Sequence, residues 1–195
     1  MQSIFEFVVE PKGGRYNNHS EINGKKLILN TEIYSHLHVN REAIVITPPR
    51  VNPRNIKKGD TVIVHHNVFR RWENIRKEEK NSRGYLEEGK YLIEPDQIYM
   101  YKSEGKWISS PGFCFVVPIK SNDLLADGEQ PLMGVVKHSD GTVEEGSLVG
   151  FRPGSEYEFI IDGIRMYRVM SHFITIKYEY EGNEEEYNPS WAQSS

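Results

Sequence analysis

Residues 56–69 read IKKGDTVIVHHNVF, and this stretch decides the fold. Gly59 is free to take the positive φ of a tight turn, and the Asp60 side chain can bond back to the backbone beside it. Thr61 to His65 then alternate in a run rich in β-branched residues, so the turn feeds directly into a strand. His65 and His66 follow one another. In an extended chain they point to opposite faces, which argues against one shared metal ion. A zinc site would also need a third or fourth ligand at workable spacing.

The rest of the chain repeats this texture. Strand patterns fall at 3–9, 26–30, 43–47, 61–66, 91–94, 97–102, 113–119, 132–137, 147–151, 157–161, 165–170 and 173–180. Each is short and bounded by Gly, Pro, Asn or Asp, the pattern of an all-β sandwich or barrel. The one helix candidate is 70–80, RRWENIRKEEK. It has good helix formers and an i,i+4 pair in Glu73 and Lys77, but almost no apolar face. It reads either as an exposed short helix or as a charged loop. Residues 182–195, GNEEEYNPSWAQSS, read as a disordered acidic tail.

Composition excludes several classes. The chain of 195 residues carries a net charge of −4, without the basic excess of a nucleic-acid binder. Its single cysteine, Cys114, forms no disulfide framework and sits in an apolar run, GFCFVVPI, as a small core residue. The first residues lack a signal-peptide pattern and no apolar run reaches the ~18 residues of a membrane span. A soluble protein of a reducing compartment, the cytoplasm, is expected. Charge is nonetheless uneven. Residues 50–90 hold eleven Lys/Arg against six Asp/Glu, and residues 121–195 hold five against fourteen. Such asymmetry either steers partners together or marks two solvated surfaces.

An internal repeat accounts for the strand spacing. EAIVIT…NIKKGDTVIVHH aligns with MGVVKHSDGTVEEGSLVGF, which places Gly59 against Gly146. KYLIEPDQIYMYKSE aligns with MYRVMSHFITIKYEY, placing Tyr91, Ile93 and Ile98 against Tyr167, Val169 and Ile174. The two offsets differ by eleven residues, which fall in the charged 70–90 segment. The openings FEFVV and FCFVVPI also correspond. Two domains are expected, 1–107 and 110–181, joined near KSEGKWISSPG.

The order of these elements resembles the GroES-type co-chaperonins. Ile56-Lys57-Lys58-Gly59-Asp60-Thr61-Val62-Ile63-Val64 is similar to the turn and strand of that family. Tyr91-Leu92-Ile93-Glu94-Pro95-Asp96-Gln97-Ile98 is similar to its ending, and Val143-Glu144-Glu145-Gly146-Ser147-Leu148-Val149 repeats the turn. The resemblance implies two tandem GroES-like small β-barrels, with Gly59, Asp60 and Gly146 as structural turn residues. It implies a mobile loop at 11–30, PKGGRYNNHSEINGKKLILN, whose triplet Leu27, Ile28 and Leu29 would bind a large chaperonin. Three apolar side chains of this kind contribute about 1.5–3 kcal/mol each when fully buried, less the cost of ordering the loop. It further implies a homo-oligomeric ring that caps a folding chamber, with ATP used by the partner. This chain would then be no enzyme and hold no cofactor.

The sequence departs from the family in several places. The second copy has only Leu124-Leu125 where the loop would be. The links Thr47–Lys57 and Lys137–Glu145 leave no room for a long roof hairpin, and Lys25-Lys26 stand where a glycine pair is typical. A duplicated, divergent form of this kind fits a bacteriophage version, acting in its host's cytoplasm.

Other chemistries find little support. There is no phosphate loop, no His-Glu-x-x-His and no nucleophile signature. His36 and His38 share a strand face but lack a carboxylate or cysteine nearby, so surface histidines are expected rather than a metal site. The mix of Arg70-Arg71-Trp72 and Arg83-Gly84-Tyr85 suits single-strand binding, but Glu73, Glu78, Glu79, Glu87 and Glu88 dilute its field. Neither a nucleic acid nor a membrane is expected as partner. The rival from another class is a phage virion component, a decoration or connector protein built on the same barrel.

Overall fold

The computed structural model describes residues 3–16, 39–121, 128–179, 182 and 184–190 fully, and 19–22 and 25–28 as backbone strands. The fold is all-β, and the chain divides into two units, Met1–Lys106 and Trp107–Ser195.

The first unit contains β1 (Phe7–Pro11), β2 (His19–Ile22), β3 (Lys25–Ile28), β4 (Glu42–Thr47), β5 (Thr61–Val64), β6 (Trp72–Glu73), β7 (Glu79–Lys80), β8 (Tyr85–Glu87), β9 (Lys90–Ile93) and β10 (Ile98–Ser103). A short strand, β11 (Lys106–Ser109), follows at the junction. The second unit contains β12 (Phe113–Lys120), β13 (Glu129–His138), β14 (Leu148–Phe151), β15 (Tyr157–Ile161), β16 (Ile164–Met170) and β17 (Ile174–Lys177).

Both units use one wiring. The first sheet, of seven strands with β11 at its edge, contains the run β10–β5–β4–β1–β9–β8, and the second runs β17–β14–β13–β12–β16–β15. Each opening strand pairs antiparallel with the second and fifth strands of this scheme, β1 with β4 and β9, and β12 with β13 and β16. A register shift interrupts the first pairing at the same point in both, between Val8 and Val9 and between Phe115 and Val116.

A short 3-10 turn, Pro95–Gln97 or Ser171–Phe173, joins the last two strands of each scheme in chain order. It links β9 to β10 and β16 to β17, strands four places apart in their sheets. At about 4.8 Å per strand spacing, a flat sheet would hold such strands about 19 Å apart. The link from Met170 to Ile174 spans at most about 14 Å at full extension, and a 3-10 turn is more compact than that. Each sheet is therefore strongly curled, although its hydrogen-bonded order leaves it open rather than closed into a barrel among the described residues.

The curl encloses a core made by the alternate residues of each strand. In the first unit Phe7, Val9, Val45, Val62, Val64, Tyr91, Ile93 and Ile98 are buried together. In the second, Val116, Val136, Val149, Phe151 and Val169 do the same.

Two expectations about local structure are corrected. Segment 70–80 is a β-hairpin, with Trp72 opposite Lys80 and Glu73 opposite Glu79. A helix there has no apolar stripe to bury, whereas Asn74 closes a tight turn and Lys77 takes a φ of +60°. The acidic end is also placed in part. β12 pairs with β16 only as far as Val116, which leaves the next residues open on that side. Residues 185–187 occupy that edge: Lys120 N donates to Glu185 O at 2.8 Å, Tyr187 N donates to Pro118 O at 2.8 Å, and Glu186 bridges Ile119.

Candidate functional site

The feature that most distinguishes the first unit is the long excursion between β1 and β4. Its base is tightly built. Asn40, 3% exposed, donates through Nδ2 to the Lys12 carbonyl at 2.6 Å and the Gly14 carbonyl at 2.8 Å. Its Oδ1 accepts from Glu42 N at 2.9 Å, and its own N donates to Arg15 O at 2.9 Å. Tyr16 and Val39 form an antiparallel bridge. A buried asparagine that satisfies two carbonyls and one amide holds the two arms together at their root.

Arg15 ties this base to the charged segment. Its Nε donates to Phe69 O at 3.1 Å and its Nη1 to Asn81 Oδ1 at 2.9 Å. The guanidinium stands 5.3 Å from the Tyr91 ring centroid and 6.0 Å from that of Tyr85. Burial lowers the Arg15 pKa, and burial raises that of Tyr91. Arg71 N donates to the Tyr16 hydroxyl oxygen at 2.9 Å. The segment between β5 and β9 is thereby braced against the root of the excursion.

Within the excursion β2 and β3 form their own two-stranded sheet, with His19 opposite Ile28 and Ser20 opposite Leu27. Leu27 and Ile28 thus stand at the end of the second strand of a hairpin. Leu29, His36 and His38 lie outside the described residues, as do Leu124 and Leu125.

Gly59 and Gly146 take φ of +91° and +85°. Asp60 Oδ2 accepts from Lys57 N at 2.8 Å, so its carboxylate closes the turn that Gly59 permits. In the second unit Ser147 stands in place of Asp60, and the charges ahead of it invert, from Lys57-Lys58 to Glu144-Glu145.

The histidines differ from expectation. β5 ends at Val64, so strand alternation no longer governs His65 and His66, and their rings stack at 4.2 Å. His65 Nδ1 accepts from Asn67 N at 3.0 Å. No group of three or more His, Cys, Asp or Glu among the described residues is placed to hold a metal ion. No helix there is long and apolar enough to cross a membrane.

Two polar clusters in the second unit were not foreseen. Cys114 Sγ lies 3.5 Å from Ser171 Oγ and 3.7 Å from Ser139 Oγ. Asp140 accepts from Ser171 Oγ and Gly112 N, each at 2.8 Å, and from Thr142 N at 2.9 Å. Burial pushes the Asp140 pKa up, but the bonds from Thr142, Ser171 and Gly112 outweigh it and hold the carboxyl below its usual range. Cys114 Sγ also stands 3.9 Å from Asp140 Oδ1, so the cluster ties the β12 entrance to the turn before β17.

The second cluster centres on Arg165, 8% exposed. It binds Glu129, donates to Glu158 Oε2 at 2.7 Å and to the Tyr167 hydroxyl at 2.5 Å, while Tyr167 donates to Glu129 Oε1 at 2.6 Å. Burial opposes the Arg165 charge, yet the two carboxylates more than restore it and raise its pKa. Residues 36, 7 and 2 positions from Arg165 meet here, a convergence no local motif announces.

No protein-family model matches the sequence, and a comparison with curated proteins found no match.

Proposed function

We propose that this chain is a co-chaperonin built of two tandem GroES-like barrels, which caps the folding chamber of a large chaperonin. The chaperonin binds and hydrolyses ATP, and copies of this chain form the ring that covers it. The observation that carries this reading is the joint occurrence of two features. One curled six-strand wiring recurs in both units, and only the first unit opens between its first two paired strands into a long, firmly rooted excursion. That excursion carries Leu27, Ile28 and Leu29. A rooted loop presents an apolar peptide at a defined place while leaving it free to adapt, and reversible capping requires this. A phage-encoded protein of this kind would act in the host cytoplasm.

The test is co-sedimentation with a bacterial chaperonin, with and without ATP, for the unaltered chain and for Ile28→Asp. Nucleotide-dependent binding that disappears in the variant is expected. Binding that survives Ile28→Asp moves the docking site elsewhere. Failure to bind chaperonins from several hosts overturns the reading in favour of a virion component.

A further inference from the structure

Among the described residues, the β6–β7 hairpin has no counterpart in the second unit. Its tip is rigidly made. Asn74 Oδ1 accepts from Arg76 N and Glu78 N, each at 2.9 Å, and Asn74 Nδ2 donates to Glu78 Oε2 at 2.8 Å. Asn74 N donates to Glu78 O at 3.0 Å and Lys77 N to Asn74 O at 2.9 Å. Five hydrogen bonds thus fix one turn, and at its apex Ile75 is wholly exposed, at 105%. Covering such a side chain is favourable, because its apolar surface then leaves water. Further down the hairpin Arg71 is paired with Glu79 at 2.8 Å and Lys80 with Glu78 at 3.4 Å. Arg76 and Lys77 follow Ile75 and are exposed.

The same unit contains a recess of about 620 Å³ lined by Ser3, Ile4, Phe5, Glu6, Arg54 and residues 94–96. Its apolar walls are open to water, Ile4 being 56% and Phe5 66% exposed. The segment is held in place because Arg50 N donates to Ser3 O at 3.1 Å and Val51 N to Ile4 O at 2.9 Å. Three carboxylates, Glu6, Glu94 and Asp96, share the recess with one guanidinium, Arg54, whose Nη1 donates to Pro95 O at 2.7 Å.

We propose that the Ile75 tip of one copy seats in this recess of a second copy. Ile75 packs against Ile4 and Phe5, and Arg76 and Lys77 face Glu6, Glu94 and Asp96. No hairpin residue lines the recess and Ile75 is bare, so the contact is one between copies. Knob and recess are different surfaces, which makes the contact heterologous and head-to-tail, closing into a ring or running on as a filament. This deepens the ring in the reading above but does not depend on a chaperonin.

Sedimentation velocity over a range of concentrations tests it. The unaltered chain is expected to self-associate, less so as salt rises. Ile75→Asp, which alters a side chain outside the core, is expected to weaken association at least about tenfold. The pair Arg76→Glu with Lys77→Glu, and separately Glu94→Lys with Asp96→Lys, are each expected to weaken it similarly. An equal mixture of the two charge-reversed proteins is expected to associate again. A chain monomeric at every concentration, association unchanged in the variants, or a mixture that stays apart overturns the proposal. Because no chaperonin is present, these outcomes are independent of the co-sedimentation result.

Discussion

Gly59 and Gly146 make the same backbone bond in their respective units. Gly59 N donates to Val45 O and Gly146 N to Val136 O, each at 2.8 Å, and the residue after each glycine returns the bond, Asp60 O from Val45 N and Ser147 O from Val136 N. One hydrogen-bonded turn has thus been kept while the charges beside it have inverted. That separates what the fold needs from what the surface uses.

Neither glycine has an atom within 4 Å of where a Cβ would sit. The cost of adding one is therefore conformational rather than steric. Gly59→Ala and Gly146→Ala are each expected to destabilise by about 1–2 kcal/mol, because an L-residue is strained at these φ values. Asn in either place should cost less. Urea unfolding of the four variants checks this, and equal effects of Ala and Asn would refute the conformational account.

Gly134 presents the opposite case. A Cβ there would stand 2.4 Å from Val117 O and 2.6 Å from Val116 Cγ1. Gly134 opposes Pro118 on β12, just as Ala43 opposes Pro11 on β1. Gly134→Ala is expected to cost about 1–3 kcal/mol through overpacking, although the first unit carries alanine at the matching place. Measured stability unchanged by Gly134→Ala would show that β12 and β13 separate more easily than their register implies.

Asp140 makes the second unit sensitive to acid. Its folded pKa lies below the ordinary value of 3.8, so the folded state favours the carboxylate. The stabilisation is complete above the unfolded-state value and is lost as pH falls through the lower folded one. Asp140→Asn is therefore expected to reduce stability at pH 6, and the gap between the two proteins should narrow as pH falls below 3.8. Thermal unfolding of both proteins from pH 2 to 6 reads this directly. A gap that stays constant across that range would mean the carboxylate charge plays no part.

Much of the secondary structure is legible because its causes are local. Lys57–Asp60 announces a turn through a glycine and a carboxylate, and Thr61–Val64 announces a strand through β-branched residues. The 70–80 segment misleads because its helix formers say nothing of what the segment packs against, while the Asn74 turn is a matter of one side chain and five bonds. The openings illustrate a finer limit. By matching letters, FEFVV and FCFVV set Phe7 against Phe115. The pairing instead sets Phe7 opposite Ile93 and Cys114 opposite Val169, one residue away, because the register follows the hydrogen-bond ladder and not side-chain identity.

By itself the sequence determined the all-β class, the glycine turns and the recurrence of elements at 59 and 146, since these rest on backbone freedom and on alternation within a few residues. Only the tertiary structure decided the rest. It curled each sheet, because a three-residue turn must join strands four places apart. It rooted the excursion on Asn40, gathered Arg165 with Glu129, Glu158 and Tyr167, and set a bare Ile75 and an acid-lined recess on one unit. Each depends on residues brought together by chain closure across long separations, where no local propensity reaches.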